Sequence, residues 1–255
     1  MINLVDVVKH LETKYPKTLA YEWDNVGLQV GSLNRRASVV LVTLDVTKDV
    51  VKEAIALKAD LVVTHHPLIF KPVSSVATES PRGWMIDKLI KNDIALYAMH
   101  TNYDLADGGM NDRLAKLLGI RDPKLLDETE NIGRYGTIDP QSMSSYILKV
   151  KNALGIGSAR FIGQLDKNVA TVGVSGGSGS NHVGQAKRQG CDLYVTGDVT
   201  YHTALDCAQM GLSVLDVGHY AEKIFKSAVA EELSEAFPDV KVVVSAIDTD
   251  PYVTL

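Results

Sequence analysis

The sequence predicts an α/β protein built from two related domains, each with a parallel-rich sheet flanked by helices. Short apolar runs alternate with amphipathic stretches along most of the 255 residues, a pattern typical of parallel strands covered by helices. The segments DLVVTHH (60–66) and DLYVTGD (192–198) start alike and share a strand pattern, which indicates an internal repeat. A polar stretch at 121–141 holds two prolines and marks a boundary. We therefore expect domains at 1–125 and 126–255.

Each element of the first domain has its own signal. Asn3 can cap an opening helix, in which apolar residues recur at helical spacing from Leu4 onward. The continuous apolar run at 38–45 is typical of a buried parallel strand. Ser80 followed by Pro81 marks a helix start. Helices are expected to begin near residues 4, 47, 81 and 110, strands to lie at 38–45, 60–65 and 94–100, and a loop to lie at 21–32.

The second domain repeats this alternation. Strands are expected at 158–162, 169–174, 192–197, 212–216 and 240–245. Helices are expected at 142–154, 181–189, 203–210 and 219–236. The segment 216–255 is also a candidate to pack back on the first domain.

Composition narrows the class of protein. Hydrophobic residues make up 45% of the chain and charged residues 22%, with a net charge of -5, which is typical of a globular protein and does not favour nucleic acid as a partner. The two cysteines, Cys191 and Cys207, do not make a disulfide framework, so we expect a reducing compartment. Because the N-terminal segment lacks a signal peptide's apolar core and no apolar run would span a bilayer, we expect a cytoplasmic protein without membrane contact.

Two adjacent histidines end the expected strand at 60–65. His65 and His66 lie at the carboxyl end of a buried strand, where α/β sheets usually place ligands. Pro67 holds His66 extended. Because adjacent strand side chains point to opposite faces, both imidazoles converge only if the chain turns here or if each reaches a different ion. The simpler interpretation is a polar pair in a loop, but the strand-end position and the partners described next favour a metal site.

The strand at 94–100 ends in a similar way. His100 and Asp104 lie at and just beyond its end, and neighbouring parallel strands would bring this loop beside the two histidines. Asp104 is a hard oxygen ligand, although an Asx-turn or a helix cap would also explain it. His100 can orient a ligand or move a proton, or it can bond a nearby carbonyl.

A third pair comes from the second domain. His219 and Glu222 are three residues apart at the start of the helix expected at 219–236, so they share a face. The helix dipole alone would explain Glu222. It does not explain His219, because a positive helix end disfavours a charged imidazole, and a neutral metal-bound imidazole is the better interpretation.

Together these residues form a mixed nitrogen and oxygen donor set: His65, His66, Asp104, His219 and Glu222. The set exceeds the three protein ligands of a catalytic zinc and suits two bridged divalent ions, which lie roughly 3.5–4 Å apart and activate water. By ligand type Zn, Mn, Fe, Co and Ni all remain open. The lack of cysteine in the set argues against a purely structural zinc.

Other segments offer supporting residues. The small residues at 172–181 can let backbone N–H groups approach a phosphate, or they can simply form a tight loop. Asp198 and His202 follow another strand, and His202 is either an acid or base at the site or an ordinary surface histidine. Three further residues are candidates to orient the ligands: Asp24, Asn25 and Asp45. Turn formation and helix capping would explain these three equally well.

The segments EWDNVGLQVG, HHPLIF, HTNYD, TGDVTYH and GHYAEK occur in this order along nearly the whole chain. In this respect the chain resembles the Nif-three-like family, whose members are labelled GTP cyclohydrolase I type 2 homologues. The resemblance implies a two-domain α/β fold with a dinuclear metal site between the halves, the same five ligands, and a homohexameric ring. It also implies a short-form member, which lacks the domain that longer relatives carry between the halves.

Two classes of function follow. The first is a metal-dependent hydrolase acting on a nucleotide-like or related small substrate, in which Glu222 or a bridging hydroxide supplies the nucleophile and His100 or His202 moves protons. A GTP cyclohydrolase-type reaction fits this chemistry. The second is a non-enzymatic ring for metal binding, trafficking or adaptor work, with the same ligands. Binding of single-stranded nucleic acid lacks support, because no basic stripe with interleaved aromatic residues is present.

Overall fold

The structure is a computed structural model, and it describes residues 2–253. The α-helices are α1 (Leu4–Lys14), α2 (Lys48–Ala56), α3 (Pro81–Lys91), α4 (Thr101–Leu105), α5 (Met110–Leu117), α6 (Met143–Leu154), α7 (Val183–Arg188), α8 (Tyr201–Met210) and α9 (Ile224–Ala236). The strands are β1 (Gly27–Val30), β2 (Val39–Thr43), β3 (Leu61–Thr64), β4 (Ala95–Ala98), β5 (Arg121–Asp127), β6 (Ile132–Ser142), β7 (Arg160–Ile162), β8 (Asn168–Val174), β9 (Leu193–Thr196), β10 (Ser213–Asp216) and β11 (Lys241–Val244). Short 3₁₀ helices lie at Lys17–Leu19, Ser180–His182 and His219–Lys223.

The described chain divides into two compact units. The first unit runs up to Ala106 and includes Lys223–Pro251, and the second comprises Asp107–Glu222 with residues 252–253. The division therefore lies at 106/107, whereas the sequence placed it at 125/126. Each unit has its own sheet flanked by helices, as the predicted α/β class requires.

The first unit contains a five-stranded sheet in the order β1-β4-β3-β2-β11. Strands β4, β3, β2 and β11 run parallel, and β1 is an antiparallel edge strand. All four residues of β3 and of β4 are buried, which explains why each strand reads as an unbroken apolar run. The register pairs Thr64 with Ala98, so β3 and β4 end side by side. The loops that follow these two strands therefore emerge together at one edge of the sheet.

The second unit contains a six-stranded sheet in the order β5-β6-β8-β9-β10-β7. Its centre, β8-β9-β10, is parallel, while β5, β6 and β7 pair antiparallel. Tyr194 is fully buried on β9, in a core cluster with side chains such as Val214 and Cys207. Burial raises the pKa of the thiols of Cys191 and Cys207, and both cysteines are unpaired thiols rather than a disulfide.

The internal repeat predicted from the sequence has a structural counterpart in each unit. Asp60, just before β3, accepts hydrogen bonds from the backbone N–H groups of Ser38 and Val39, at 2.8 and 2.9 Å. Asp192, just before β9, accepts two bonds of 2.9 Å from the backbone at the corresponding place in β8. In both sheets, therefore, an aspartate just before one parallel strand accepts backbone hydrogen bonds from the neighbouring parallel strand or from the residue that precedes it.

Two parts of the fold differ from the sequence-based prediction. Strand β1 lies inside the segment 21–32 that was expected to be a loop, and the β5–β6 hairpin occupies the polar stretch that was expected to be only a boundary. Each difference involves an edge strand, β1 in the first sheet and β5 in the second, whose exposed residues lack a buried apolar pattern. Pro123 and Pro140 lie where the ladders are irregular, so their missing N–H groups are tolerated. Within residues 2–253, no helix is long and apolar enough to cross a membrane.

Candidate metal site

The first unit brings three histidines together beyond the ends of β3 and β4. One ring nitrogen from each of His65, His66 and His100 lies within 4.8 Å of the others, a spacing that allows a metal ion to be held. The ring centroids are 4.8 Å apart for His65 and His66 and 5.3 Å apart for His65 and His100. Strand β3 ends at Thr64, whose hydroxyl bonds the carbonyl of His66 at 3.1 Å and so holds the chain in a turn. This turn removes the strand alternation that would have separated the two adjacent imidazoles.

Each of these imidazoles is held through its Nδ1 atom. His65 Nδ1 donates to the carbonyl oxygen of Met99 at 2.7 Å, which fixes the proton on Nδ1 because a carbonyl can only accept. His66 Nδ1 bonds Asp45 at 2.6 Å, and His100 Nδ1 bonds Asp24 at 2.9 Å. With Nδ1 engaged, Nε2 is the nitrogen that remains for a ligand role. An outer hydrogen bond of this kind is the usual way to orient a metal-binding histidine.

The two anchoring carboxylates are themselves held as anions. Burial raises the pKa of Asp24, but hydrogen bonds from His100 and Thr101 outweigh it and lower the pKa to about 2. Burial likewise raises the pKa of Asp45, but its hydrogen bonds with His66 and Thr249 outweigh burial, and the pKa lies below its usual value. An ionised carboxylate on Nδ1 increases the basicity of the ligand nitrogen on the far side of the ring. The sequence named Asp24 and Asp45 as orienting candidates, but it offered no sign of Met99 or Thr249.

Asp104 belongs to the same cluster. It lies in the short helix α4 and is 9% exposed, and its Oδ1 atom is 3.6 Å from Nε2 of the fully buried His65. Since Nδ1 of His65 donates to Met99, the other ring nitrogen, Nε2, faces the carboxylate of Asp104. An imidazole nitrogen and a carboxylate oxygen at this spacing are donors of the kind that divalent metal ions bind. The donor chemistry of this group therefore fits a divalent metal ion.

The second unit brings His219 and Glu222 together. Nε2 of His219 is 3.2 Å from Oε2 of Glu222, and Nδ1 of His219 bonds Asp198 at 2.7 Å. The long helix expected at 219–236 begins instead as a 3₁₀ helix over His219–Lys223, and α9 starts at Ile224. Residues i and i+3 eclipse one another in a 3₁₀ helix, so this geometry suits a shared ligand role better than the α-helix that we expected. Glu222 is 3% exposed.

Asp198 carries backbone strain. Its φ angle is +54°, in the left-handed region that residues other than glycine rarely adopt. Strain of this kind persists only where the surrounding structure imposes it, and it concentrates at functional sites. The strained conformation orients the carboxylate onto His219, which makes Asp198 the counterpart of Asp24 and Asp45 in the first unit.

The internal repeat places the two candidate acidic ligands at equivalent positions. The backbone N–H of Met99 bonds the carbonyl of Thr64 at 2.9 Å, and the N–H of Val217 bonds the carbonyl of Thr196 at 2.8 Å. Five residues beyond Met99 lies Asp104, and five residues beyond Val217 lies Glu222. Each half of the chain therefore supplies a buried carboxylate in the first turn after its third parallel strand.

The glycine-serine segment at 172–181 contacts Glu222. A Cβ atom added to Gly176 or Gly177 would lie 2.9 or 2.8 Å from Oε1 of Glu222. The N–H of Gly176 is bonded to Asn111, and that of Gly179 to Thr196, so two donors of the loop are already in use. A carboxylate beside the loop also disfavours an anion there, and we therefore interpret the glycines as making room for Glu222 rather than as a phosphate cradle.

His202 does not share this environment. It is exposed in the first turn of α8, where its ring packs edge-on against Tyr201 with a centroid distance of 5.5 Å. Asn25, the third orienting candidate, donates a hydrogen bond from its side-chain amide to the carbonyl of Ile69. This bond stabilises a loop and does not orient one of the candidate metal-binding side chains.

Comparison with known proteins adds a family likeness over the whole chain. The model of the family described as Duf34/NIF3 (NGG1p interacting factor 3) matches residues 2–251. The chain is 38% identical over 259 residues to a Clostridium perfringens protein named GTP cyclohydrolase 1 type 2 homolog, with 98% of this chain and 99% of that protein covered. A solved structure of a Bacillus cereus protein related to NIF3 superposes with a TM-score of 0.94 at 30% identity, and the match covers 99% of each chain.

A longer relative shows how this chain differs from some members. The protein of the same name from Bacillus subtilis is 29% identical over 369 residues, covering 100% of this chain and 99% of that protein. The alignment is far longer than the 255 residues of this chain, as expected of a relative with an inserted segment.

Proposed function

The chain belongs to the DUF34/NIF3 family, and on that premise we propose that it is a metal-dependent hydrolase acting on a nucleotide-like small substrate. We propose as ligands of two divalent ions His65, His66 and Asp104 from the first unit and His219 and Glu222 from the second. The name carried by the relatives, GTP cyclohydrolase 1 type 2 homolog, supports a water-dependent ring-opening reaction on a purine nucleotide.

The strongest support is the shared anchoring of four histidines. His65, His66, His100 and His219 each bind an oxygen acceptor through Nδ1, at distances between 2.6 and 2.9 Å. A histidine that only stabilises the fold needs no common orientation, whereas metal ligands need Nε2 aimed at one place. Zn, Mn, Fe, Co and Ni all suit the mixed imidazole and carboxylate donors.

The protein's own residues then have distinct tasks. Divalent ions bound here would supply the Lewis acidity that activates water near neutral pH. The imidazole of His100 can take a proton at Nε2, because the ionised Asp24 on its Nδ1 stabilises the resulting positive charge. Glu222, buried beside His219, can accept a proton from water or hold a ligand position. We keep His202 as a second candidate for proton transfer from its exposed place on α8.

Metal counting and a substrate screen test the proposal together. Chelator-treated protein is reloaded with Mn or Zn, the ions per chain are counted by mass spectrometry, and GTP and a nucleotide panel are assayed for products. We expect two ions per chain and turnover of at least one nucleotide. Glu222→Gln keeps the size of the side chain and should abolish turnover, while Glu231→Gln, an identical change at an exposed position of α9, should not.

Failure has two distinguishable forms. Fewer than two ions in the metal-saturated protein would contradict the dinuclear site. Full loading without turnover, together with equal behaviour of Glu222→Gln and Glu231→Gln, would favour the alternative of a non-enzymatic metal-binding, trafficking or adaptor protein. Transfer of the bound metal to an apo-acceptor would then identify that role.

We further propose that the protein assembles as a homohexamer, as the family resemblance implies. Light scattering of the purified protein should then give six times the 27.7 kDa mass of the chain. A monomeric mass at micromolar concentration would contradict the ring.

A further inference from the structure

Three aromatic side chains form a patch on the first unit: Tyr21, Trp23 and Phe70. Tyr21 and Trp23 are stacked with centroids 5.4 Å apart and planes inclined by 26°, and Phe70 meets Trp23 edge-on at 5.9 Å. Trp23 is 60% exposed and Phe70 is 40% exposed. We call these three residues the aromatic patch.

This exposure contrasts with the burial of other aromatic side chains in the first unit. Only 6% of the residues are aromatic, and other large aromatic side chains of the first unit, such as Tyr97 and Phe225, are almost completely buried. An exposed group of large apolar rings forgoes the hydrophobic free energy that burial would provide, and such groups generally mark a binding surface.

The aromatic patch adjoins the histidine cluster. The ring of His100 lies 6.3 Å from the ring of Trp23 and 6.1 Å from that of Phe70. These distances fall within the range of packed aromatic pairs, about 4.5–7 Å. Asp24 follows Trp23 directly in the chain and holds His100 through Nδ1, so one loop carries both the exposed indole and the anchor of the histidine.

The loops that carry the patch are tied to each other. Asn25 donates its side-chain amide to the carbonyl of Ile69, and the N–H of Ile69 donates to the side chain of Gln29 at 2.9 Å. Gln29 in turn donates to the carbonyl of Asn25 at 2.7 Å. This closed set of hydrogen bonds links the loop of Trp23 to that of Phe70. Rings that are already in place bind a ligand with a smaller loss of conformational entropy.

We propose that the aromatic patch binds the base of a purine nucleotide by stacking and presents it to the adjacent histidines. A purine has a flat face of the size of the Trp23 indole, and it has polar edges that hydrogen-bond to imidazole. Stacking on an exposed aromatic side chain needs only the flat face of a single base, so it is available to a mononucleotide. This inference rests on the proposed function, since it names the substrate class of that metal site.

Fluorescence of Trp23 reports the contact directly. The chain has two tryptophans, so Trp84→Phe leaves Trp23 as the sole tryptophan, whose emission is excited selectively at wavelengths that tyrosine does not absorb. Metal-free Trp84→Phe protein is titrated with GMP, AMP and ribose 5-phosphate, the last of which lacks the base. We expect quenching by GMP or AMP and none by ribose 5-phosphate. Absence of quenching by both nucleotides, or equal quenching by ribose 5-phosphate, overturns the inference.

Calorimetry on variants of the complete chain measures the contribution of the patch. Trp23→Ala should weaken nucleotide binding by roughly 5- to 150-fold, the range that loss of one stacking side chain produces. Trp23→Phe should restore most of the affinity, since it keeps an aromatic face. Ile90→Ala is the control: Ile90 lies on α3 and is 57% exposed, nearly the same exposed fraction as Trp23, and its removal should leave the affinity unchanged. Wild-type affinity in Trp23→Ala, with an unchanged melting temperature, overturns the inference.

The metal measurements separate this inference from the proposed function. Trp23→Ala should bind as many divalent ions as the wild type, because Trp23 is not among the proposed ligands. If the wild type binds no divalent ions but GMP still quenches Trp23, the metal-dependent hydrolase is contradicted and the nucleotide site stands. If the ions bind and no nucleotide does, the nucleotide site is contradicted alone.

Discussion

Replacing Gly177 with alanine is expected to displace Glu222 and so weaken metal binding. Gly177 has a φ angle of +57°, and an added Cβ atom would lie 2.8 Å from Oε1 of Glu222 and 3.3 Å from Nε2 of His219. Ordinary contacts of this kind begin at 3.4 Å, so the carboxylate must move by roughly half an ångström. The atom that meets the new methyl group is the end of a flexible side chain, so the displacement alters the site more than it alters the fold.

The magnitude follows from two separate terms. Left-handed backbone costs an alanine about 1–2 kcal/mol, and the lower entropy of the unfolded alanine chain offsets about 0.4–1 kcal/mol of this. We therefore expect a loss of about 1 kcal/mol in the free energy of unfolding, or about 2–4 °C in Tm for a chain of this size. Misplacing a side chain at a metal site typically weakens affinity by about 10- to 100-fold.

Gly190 provides the matched control. It also has a positive φ, +71°, but an added Cβ atom would meet nothing within 4 Å. Gly190→Ala should therefore lower Tm by a similar amount and leave metal affinity unchanged. Both variants are compared with the wild type by thermal unfolding and by competition with a zinc chelator. Equal zinc affinities for the two variants would refute the role given to Gly177.

Three further changes probe the anchors and the fold. Asp198→Asn keeps a residue type that tolerates the left-handed backbone, but it removes the negative charge of the carboxylate that bonds His219. Zinc affinity should therefore fall by about tenfold with little change in Tm. Burial raises the pKa of Asp127, but hydrogen bonds from neighbouring backbone N–H groups and from His182 outweigh burial and bring the pKa below its usual value. The contribution of Asp127 to stability is therefore complete above pH ~4 and is lost as the pH falls through the folded-state pKa. Urea unfolding should therefore show Asp127→Asn less stable than the wild type at pH 7, with the difference shrinking below pH ~4, and a constant difference at all pH values would contradict this. Asp192→Ala removes the acceptor of two backbone hydrogen bonds from β8 and should cost about 2 kcal/mol in urea unfolding, with unchanged zinc affinity. An unchanged free energy of unfolding would contradict this role of Asp192 in joining the two strands.

The parallel core of each sheet could be predicted because its signal is local. The apolar runs that became β3 and β9, and the repeated Asp before each of them, are visible without any tertiary information. Helix signals such as the Ser80 cap and the Pro81 start were equally clear, and both are present in α3. Burial on both faces leaves little freedom in the choice of residues, so the sequence carries the pattern plainly.

The edge elements could not be predicted in the same way. Strand β1 pairs with β4 through backbone groups, and its side chains show no alternation that distinguishes it from a loop. The β5–β6 hairpin looked like a linker because Arg121–Lys124 is exposed. Pairing between backbone groups is almost independent of side-chain type, and at an edge no burial compels an apolar residue.

The sequence by itself determined which residues can bind a metal. His65, His66 and Asp104 follow strand ends, and His219 and Glu222 share a spacing, so their candidacy depends only on side-chain chemistry and local position. The tertiary structure decided what orients them. The pairing of His100 with Asp24, the pairing of His66 with Asp45, and the aromatic patch beside them join residues that lie 20 or more positions apart in the chain. Each of these contacts joins loops that precede or follow different strands, so it forms only once β1 to β4 are assembled in one sheet. The sequence predicted that neighbouring strand ends would lie together, but it did not show which carboxylate would meet which histidine.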